Sequence, residues 1–473
     1  MEMLMRRIAW ILASLILVAT TLPLVPKDAK TDPRLKGAFR KPAQNGWTFV
    51  HLEGTPSEIG FQHGYLLARE IRDAENVTVL EQTRDSKKDW KFFRTAAQDM
   101  MWPHIEQEYR EEMQGIAEGL KARGVGLDVW DVVALNAMPE WGYYVKEYDR
   151  QHHLSTSASL VVPEHCSAFV ATGSYTQDGK VIIAHSNWTS YLDGTRWTII
   201  FDIAPAQGHR VLMDGFPGLI HSGDDFGINS AGLMITETTI SHFSGYDPKG
   251  IPEFVRARKA MQYASSIDDF ARIMKEGNNG GYANTWLMAD QKTSEIASLE
   301  LGLKNVTLLR KTDGYFVGSN FPADPKLVQE ETDFNVRDMG ESANARHLRW
   351  EQLMAEYKGK IDVAAAQRFL ADHYDTIENK EEANERTLCG HVDLSPRGLP
   401  PWEPPYGPAG AVQNKVADAA MAGRMSFSAA AGHACGIKFK VGEHLRKHPE
   451  FSWEKPLLRD LDAYPWTTFS IAP

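Results

Sequence analysis

The sequence predicts an α+β fold in which β-sheets are covered by helices. Two observations predict it: short β-rich runs divided by turn residues begin at residue 166, and pairs of helical segments lie between those runs. Strand blocks that alternate with helix pairs are typical of sheets whose faces pack against helices. The chain has 473 residues, 43% of them hydrophobic and 24% charged, which is enough for a large buried core.

The first segment has the pattern of an export signal. Arg6 and Arg7 precede an uncharged apolar run over residues 8–25, and a positive segment followed by an apolar one is typical of secretory signals. The run is also near the length that spans a membrane, so an uncleaved anchor stays open. We expect residues 1–26 to be a signal peptide or membrane anchor, and the protein to be exported to a periplasmic, extracellular or lumenal compartment.

Residues 27–165 are predicted to form a mainly helical prosegment. The start signal Thr55-Pro56-Ser57 opens a run with apolar residues at helical spacing through Ile71, and residues 76–121 continue with helical patterns. This segment therefore contrasts with the β-rich part that follows it.

Cys166 opens the first predicted strand of the β-rich part. The turn Asp178-Gly179 predicts a hairpin in which Cys166 lies opposite about Tyr191, unless a bulge shifts the pairing by a residue or two. The hairpin would bring residues 185–191 beside the thiol. The predicted strands of this part are 166–175, 180–187, 196–204, 209–215, 232–240, 284–290, 295–301, 306–311 and 314–320, and its predicted helices are 251–264, 266–277, 342–359 and 361–375.

Charge and residue spacing exclude several classes of function. The net charge is −11 and no basic tract occurs, so we expect no nucleic-acid partner. The histidines, His391 and His433 among them, lack a spacing such as H-E-x-x-H, so we expect no metal and no cofactor. Of the three cysteines, Cys389 and Cys435 could form a disulfide, which would leave Cys166 as the odd thiol of an exported protein.

Two interpretations of Cys166 follow from its position. A cysteine that opens an apolar strand is usually a buried core residue. If the chain is cut before Cys166, however, the residue gains an α-amino group with a reference pKa of about 7.7–8.0, against about 8.5 for the thiol. One residue then supplies both nucleophile and base. The tetrahedral oxyanion would still need fixed donors, typically an asparagine amide and a backbone N–H.

Six segments, in order along residues 50–470, resemble the phospholipase B-like proteins. That family belongs to the N-terminal nucleophile (Ntn) hydrolases and is related to the penicillin acyltransferase-like peptidases. The C-terminal stretch GHACGIKFK also resembles some phospholipase B-like tails. The six segments are GTPSEIGFQHGYLLAREI, CSAFVATG with VIIAHSNWTSY, DDFGINSAGLMITETT, GGYANTWLMAD, GSNFP and SANARHLRWEQL.

The resemblance implies a four-layer αββα sandwich of the Ntn-hydrolase type. It implies self-cleavage between His165 and Cys166, so that residues 166–473 form a core fragment that begins at its nucleophile. Many Ntn amidases hold the α-amino group with an aspartate that this sequence lacks, which leaves His185 or Asn187 for that role. The other implied site residues are Asn284 for the oxyanion, Trp188 as a wall of the acyl pocket, and Glu237 and Thr238 on a strand beside the nucleophile.

The expected reaction is hydrolysis of linear amides, such as N-acyl amino acids or small peptides, through a Cys166 thioester. One alternative is removal of acyl chains from phospholipids by ester hydrolysis. Another is a non-catalytic exported binding protein that keeps the fold, and a third is a cysteine protease with a Cys/His pair, for which a papain-like context is absent. The expected partners are a small acyl amide or lipid substrate and the cleaved N-terminal fragment, with membrane contact only through the signal or anchor segment or a lipid substrate.

Overall fold

The computed structural model describes residues 32–155 and 166–471. The predicted signal or anchor over residues 1–26 and the cleavage residue His165 lie outside these ranges. The strands of the described residues are β1 (Phe39–Arg40), β2 (Thr48–Gly54), β3 (Cys166–Thr172), β4 (Ile182–Ser190), β5 (Ile199–Pro205), β6 (Val211–Gly215), β7 (Gly227–Asn229), β8 (Leu233–Thr239), β9 (Asn284–Asp290), β10 (Glu295–Leu301), β11 (Val306–Lys311), β12 (Gly314–Gly318), β13 (Tyr374–Asp375), β14 (Lys380–Glu381), β15 (Ala409–Asp418), β16 (Ser426–Ala431) and β17 (Thr467–Ser470).

The α-helices lie before, between and after these strands. No helix among the described residues is long and apolar enough to cross a membrane. The helices are α1 (Pro56–Leu66), α2 (Ala68–Ser86), α3 (Trp90–Ala96), α4 (Gln107–Ala122), α5 (Val129–Asn136), α6 (Trp141–Gln151), α7 (Tyr191–Gly194), α8 (Glu253–Tyr263), α9 (Ile267–Lys275), α10 (Pro325–Glu331), α11 (Ser342–Glu356), α12 (Val363–Phe369), α13 (Ala419–Ala422) and α14 (Val441–Lys447).

Two large sheets organise the described residues from 37 onward. The nine-stranded sheet has the order β1-β2-β5-β6-β7-β8-β9-β10-β11, and the six-stranded sheet has the order β12-β3-β4-β15-β16-β17. Strands β2 and β5 run parallel, whereas the other neighbours in both sheets are antiparallel. Cys166 therefore lies on β3, an inner strand of the smaller sheet.

Three hydrophobic clusters show that the sheets and helices form four layers. One cluster lies between the two sheets and joins residues such as Val170 of β3 to Leu287 of β9. A second covers the other face of the nine-stranded sheet with helices α1, α4, α8 and α9. A third covers the outer face of the six-stranded sheet with α11 and α12. The expected αββα sandwich is thus confirmed.

The N-terminal part contributes strands as well as helices. Strand β2 lies inside the nine-stranded sheet, between β1 and β5. Helix α1 begins at a complete capping box formed by Thr55 and Glu58, and it packs closely on α4. A Cβ atom on Gly60 would lie 1.8 Å from the carbonyl oxygen of Glu112, so only glycine permits this approach of the two helices.

The register of the β3–β4 hairpin differs from the predicted one. Cys166 lies opposite Asn187, not opposite Tyr191, a difference larger than a single bulge would produce. The cause is the connection: β3 ends at Thr172 and β4 begins at Ile182, so residues 173–181 form a loop that includes a short 3-10 turn. Part of the expected segment 185–191 nevertheless returns beside the thiol, since Asn187 lies opposite Cys166 and the side chain of His185 lies close to it.

Candidate active site

Cys166 is buried at one end of the layer between the two sheets. Side chains alternate across a strand, so Cys166 shares a face with Ala168 and Val170, which pack in the inter-sheet cluster. The thiol side chain also lines a pocket whose wall includes Asn187 and Trp188 of β4. The first residue of β3 is thus partly core and partly pocket wall.

Two side chains hold the backbone of Cys166. Its N–H donates to Oδ1 of Asn320 at 2.9 Å, and its carbonyl oxygen accepts a hydrogen bond from Nη1 of Arg346. Nη2 of Arg346 also donates to Oδ1 of Asn320 at 2.9 Å, which closes the network. The amide of Asn320 in turn donates to the carbonyl of Thr239 at 2.9 Å. This network fixes the nitrogen that a cut before Cys166 would convert into an α-amine.

The thiol has an imidazole and a carboxyl group close by. One ligand atom each of Cys166, His185 and Glu237 lie within 4.8 Å of one another, and all three residues are buried. Tyr282 donates a hydrogen bond to Oε1 of Glu237 at 2.8 Å. Burial and the nearby Asp225 raise the pKa of Glu237 well above its usual value, so the site disfavours the charged form of this carboxyl group.

The imidazole of His185 is held in its neutral form. Burial and the positive charge of Lys415 lower its pKa to about 3. Its Nδ1 lies 3.7 Å from Oδ2 of Asp224, but that carboxylate already forms a buried ion pair with Lys415. Burial raises the pKa of the Cys166 thiol well above its usual value, and the nearby carboxyl group of Glu237 contributes to the same shift. The thiol therefore needs a base to become a nucleophile.

Asn284 is the first residue of β9 and is buried. It lies opposite Thr239 in the sheet, and neither Oδ1 nor Nδ2 of its side chain has a hydrogen-bond partner among the described residues. Buried amides are normally paired, so this pair of atoms is suited to a bound ligand. Thr239 and Tyr282 are among the described residues that line the Cys166 pocket, whereas Asn284 is not. The role of Asn284 in binding the oxyanion therefore stays a prediction.

The remaining expected residues and two missed ones complete the site. Thr238 lies against β12, since a Cβ atom on Gly318 would be 2.6 Å from its Cγ2. Arg346 and Asn320 were not among the predicted site residues. The signal for both was present, because each lies in a segment that resembles the family, SANARHLRWEQL and GSNFP.

The pocket beyond the thiol combines aromatic rings with acidic side chains. The guanidinium of Arg346 lies over the ring of Trp188, 4.5 Å from the ring centroid, and this contact holds the ring in position. Burial raises the pKa of Asp193 to about 6 and the pKa of Glu403 to about 8. No lysine, arginine or histidine is among the described lining residues, whose aromatic and acidic members are Trp188, Trp197, Tyr282, Trp402, Glu81, Asp85, Asp193 and Glu403.

A family model and several curated proteins indicate one family. The family model described as Phospholipase B matches residues 75–315, a little over half of the chain. The chain is 25% identical over 333 residues to "Putative phospholipase B-like 1" of Caenorhabditis elegans, covering 63% of this chain and 56% of that protein. It is 27% identical over 299 residues to "Phospholipase B" of Crotalus adamanteus, covering 57% of this chain and 51% of that protein.

Two further matches, one to a curated protein and one to a solved structure, cover different shares of this chain. The chain is 22% identical over 427 residues to "Phospholipase B-like 1" of Homo sapiens, covering 79% of this chain and 74% of that protein. Several of the curated relatives are matched over only about half of their length. Among solved structures, conjugated bile acid hydrolase from Clostridium perfringens aligns with a TM-score of 0.31 at 10% identity, covering 64% of this chain and 97% of that chain.

Proposed function

This chain belongs to the phospholipase B family, and from that premise we propose that it is an exported, self-processing Ntn hydrolase. Its reaction is the hydrolysis of linear amide bonds in acylated substrates, through a thioester on Cys166. Cleavage of the His165–Cys166 bond generates the active enzyme. The fold, the buried thiol and the pocket beside it support this proposal.

One observation carries the proposal: the backbone nitrogen of Cys166 is held by Oδ1 of Asn320 at 2.9 Å. After cleavage the same acceptor orients the free α-amine beside its own thiol. The other basic group near the thiol, His185, has a pKa lowered to about 3 by burial and Lys415, so its imidazole is a weak base. The α-amine, with a reference pKa of about 7.7–8.0, is the better base near neutral pH.

Maturation begins with the thiol of Cys166. The sulfur adds to the carbonyl carbon of His165, the peptide C–N bond breaks, and the nitrogen leaves as the α-amine of Cys166 after taking up a proton. Water then hydrolyses the thioester that links the two fragments, and a carboxylate forms at His165. The same thiol and a freed amine remain for substrate.

Turnover repeats this chemistry on the substrate. The α-amine accepts the thiol proton as the sulfur attacks the acyl carbon, and the resulting oxyanion needs preorganised donors. The unpaired side-chain amide of Asn284 is the proposed donor. The protonated amine then passes its proton to the leaving nitrogen, a thioester remains on Cys166, and water releases the acid.

The N-terminal fragment stays with the core after cleavage. Strand β2 pairs along its whole length with β5 of the later fragment, and Glu81 and Asp85 of α2 contribute to the pocket wall. The part of the N-terminal fragment that includes β2 and α2 is therefore a permanent part of the enzyme and not a discarded propeptide. Residues 1–26 direct its export.

The pocket favours amide substrates that carry an amine. Carboxyl oxygens can accept hydrogen bonds from a protonated amine, and tryptophan rings add cation–π contact, so the two together suit such a group. A phosphate group is usually bound by arginine or lysine, and the described lining offers neither. Phospholipid ester hydrolysis stays as the second candidate because the matching family model is that of phospholipase B.

The first experiment measures the covalent state of the purified full chain. Intact-mass spectrometry and N-terminal sequencing should find a fragment that begins Cys166-Ser167-Ala168-Phe169, and Cys166→Ala should remain a single chain. An intact wild-type chain without hydrolytic activity would instead favour the non-catalytic binding protein. An intact but active chain would favour the Cys/His protease.

A second experiment separates the two substrate classes. The mature protein is incubated with an N-acyl diamine, the N-acyl amino acid of the same chain length and a phosphatidylcholine, and the released fatty acid is quantified. We expect the N-acyl diamine to be hydrolysed fastest. Preferred release from phosphatidylcholine, abolished by Cys166→Ala, would assign the ester reaction to the same thiol.

A further inference from the structure

Four potential metal ligands converge behind the substrate pocket. One ligand atom from each of His373, Cys389, His391 and Cys435 lies within 4.8 Å of the others. Cys389 and His391 are buried, whereas His373 and Cys435 are half-buried. The four residues come from three separate stretches of chain, so no short spacing in the sequence could reveal them.

Two of the distances between these side chains match edges of a zinc tetrahedron. Nε2 of His391 lies 3.6 Å from Sγ of Cys389 and 3.5 Å from Sγ of Cys435. Zinc binds sulfur at about 2.3 Å and nitrogen at about 2.0–2.1 Å, which puts tetrahedral N and S ligands about 3.5 Å apart. Both sulfurs are therefore already at ligand separation from the imidazole.

The groups around the cluster support a metal-bound histidine. Nδ1 of His391 faces Oδ1 of Asp393 at 3.8 Å, and that carboxylate accepts a hydrogen bond from the hydroxyl of Tyr191 at 2.7 Å. Metal-bound histidines commonly have a carboxylate beside the ring nitrogen that does not bind the metal. The backbone N–H of Ile437 also donates to Sγ of Cys435 at 3.4 Å, as suits a thiolate.

We propose that His373, Cys389, His391 and Cys435 bind a structural zinc ion. Two thiolates and two imidazoles in a tetrahedral arrangement are typical of zinc, and four protein ligands leave no position for a substrate. Cys389 and Cys435 are both free thiols in this structure, as zinc binding requires. This proposal revises the sequence-based expectation that the protein holds no metal.

The zinc site supports the wall of the substrate pocket. A Cβ atom on Gly390, between two of the ligands, would lie 2.1 Å from the ring of Trp188, so this stretch of backbone packs directly on the tryptophan. Ala411 of β15 donates a backbone hydrogen bond to the carbonyl of Gly390 at 2.9 Å. The metal would therefore hold the loop that sets the position of Trp188, independently of the reaction at Cys166.

The test measures zinc in the tag-free full chain after dialysis, by elemental mass spectrometry. We expect about one zinc per chain in the wild type, and loss of most of it in Cys435→Ser and in His373→Ala. Cys166→Ala is the matched control: it removes the third thiol and should keep its zinc. Circular dichroism of each variant separates loss of the metal from loss of the fold.

A measurement on the wild type avoids dependence on the variants. Zinc is removed with a chelator and replaced by Co²⁺, whose thiolate charge-transfer absorption and tetrahedral d–d bands report two sulfur ligands. Appearance of both signals supports the site. The proposal would be overturned if neither zinc nor cobalt binds and the intact mass is two hydrogens below that of the reduced chain, as a Cys389–Cys435 disulfide requires.

Discussion

Asn320 accepts a hydrogen bond from the backbone N–H of Cys166 at 2.9 Å, although the two residues are 154 positions apart in the chain. The same oxygen accepts from Nη2 of Arg346, and the amide of Asn320 donates to the carbonyl of Thr239. One asparagine thus connects the nucleophile to the long sheet on one side and to helix α11 on the other.

Replacement of Asn320 should slow maturation. Asn320→Ala leaves the N–H of Cys166 without its acceptor, and an unpaired buried donor costs about 1–3 kcal/mol. We expect the Cys166-initiated fragment to form at least ~10-fold more slowly, as followed by intact mass over time. Asn320→Asp keeps the acceptor oxygen and should process faster than Asn320→Ala. Equal rates for the two variants would contradict this role.

Replacement of Arg346 should lower kcat far more than replacement of its neighbour Arg349. Arg346 is buried and reaches Cys166, Ser167 and Asn320, and a lysine cannot reproduce the fork of donors that does so. We expect Arg346→Lys to reduce kcat about 100-fold, the scale of a misplaced reacting group. The measurement is the steady-state rate at which the acid product is released.

Arg349 provides the matched control, one turn further along α11. It forms two hydrogen bonds with Asp372, at 2.9 and 2.6 Å, and its described hydrogen bonds do not reach Cys166 or Asn320. Arg349→Lys should keep kcat within about 2-fold. Similar losses in both variants would indicate damage to helix α11 instead of to the site.

Much of the fold could be predicted because its strands have strong local signals. The predicted strands 284–290, 295–301 and 306–311 agree with β9, β10 and β11, since each alternates or runs apolar between clear turn residues. The helical run predicted from Thr55 through Ile71 divides at Leu67, whose backbone leaves helical geometry. The strand order could not be predicted, because pairing between distant segments depends on tertiary packing.

From strand and turn patterns alone, the site was predictable only where neighbours in sequence are neighbours in space. The hairpin brought His185 and Asn187 to Cys166, although its register needed correction because a nine-residue connection replaced the expected two-residue turn. Asn320 and Arg346 reach the nucleophile from segments more than 150 residues away. No periodicity or spacing contains such information.

The base can be identified by replacement of His185. If the α-amine of Cys166 accepts the proton, His185→Gln should keep kcat of the mature enzyme within about 10-fold. If the imidazole accepts it, the loss should be about 10²–10⁴-fold. The structure favours the smaller effect because burial and Lys415 lower the pKa of His185 to about 3. Single-turnover rates of acid release, with the melting temperature as a control for folding, distinguish the two outcomes.

Gly390 should be intolerant of a side chain. Its Cβ atom would lie 2.1 Å from the ring of Trp188, so Gly390→Ala must displace the tryptophan toward the pocket or shift the backbone. We expect a rise in KM of about 10-fold, which corresponds to about 1.4 kcal/mol of lost substrate binding. Gly126→Ala is the control, because nothing lies within 4 Å of the position that its Cβ atom would take. An unchanged KM in Gly390→Ala would show that Trp188 does not contact substrate.

Acid should destabilise the protein partly through His63. The ring is buried, Nε2 accepts the N–H of Gly218 at 3.0 Å, and burial lowers the pKa of His63 to about 3. Because the pKa in the folded state lies below its ordinary value of about 6.5, the contribution of neutral His63 to the stability of the fold is fully present above pH 6.5. It is lost as the pH falls toward 3, at up to about 1.4 kcal/mol per pH unit.

His63→Gln tests this dependence, since its side-chain oxygen can still accept from Gly218. Both proteins should carry Cys166→Ala, so that each remains a single chain. We expect the wild-type ring to confer an advantage in melting temperature near pH 7 that shrinks as the pH is lowered to 4. The exposed His152→Gln should instead give a curve parallel to the wild type. A parallel curve for His63→Gln would mean that this histidine is not the buried group that acid must protonate.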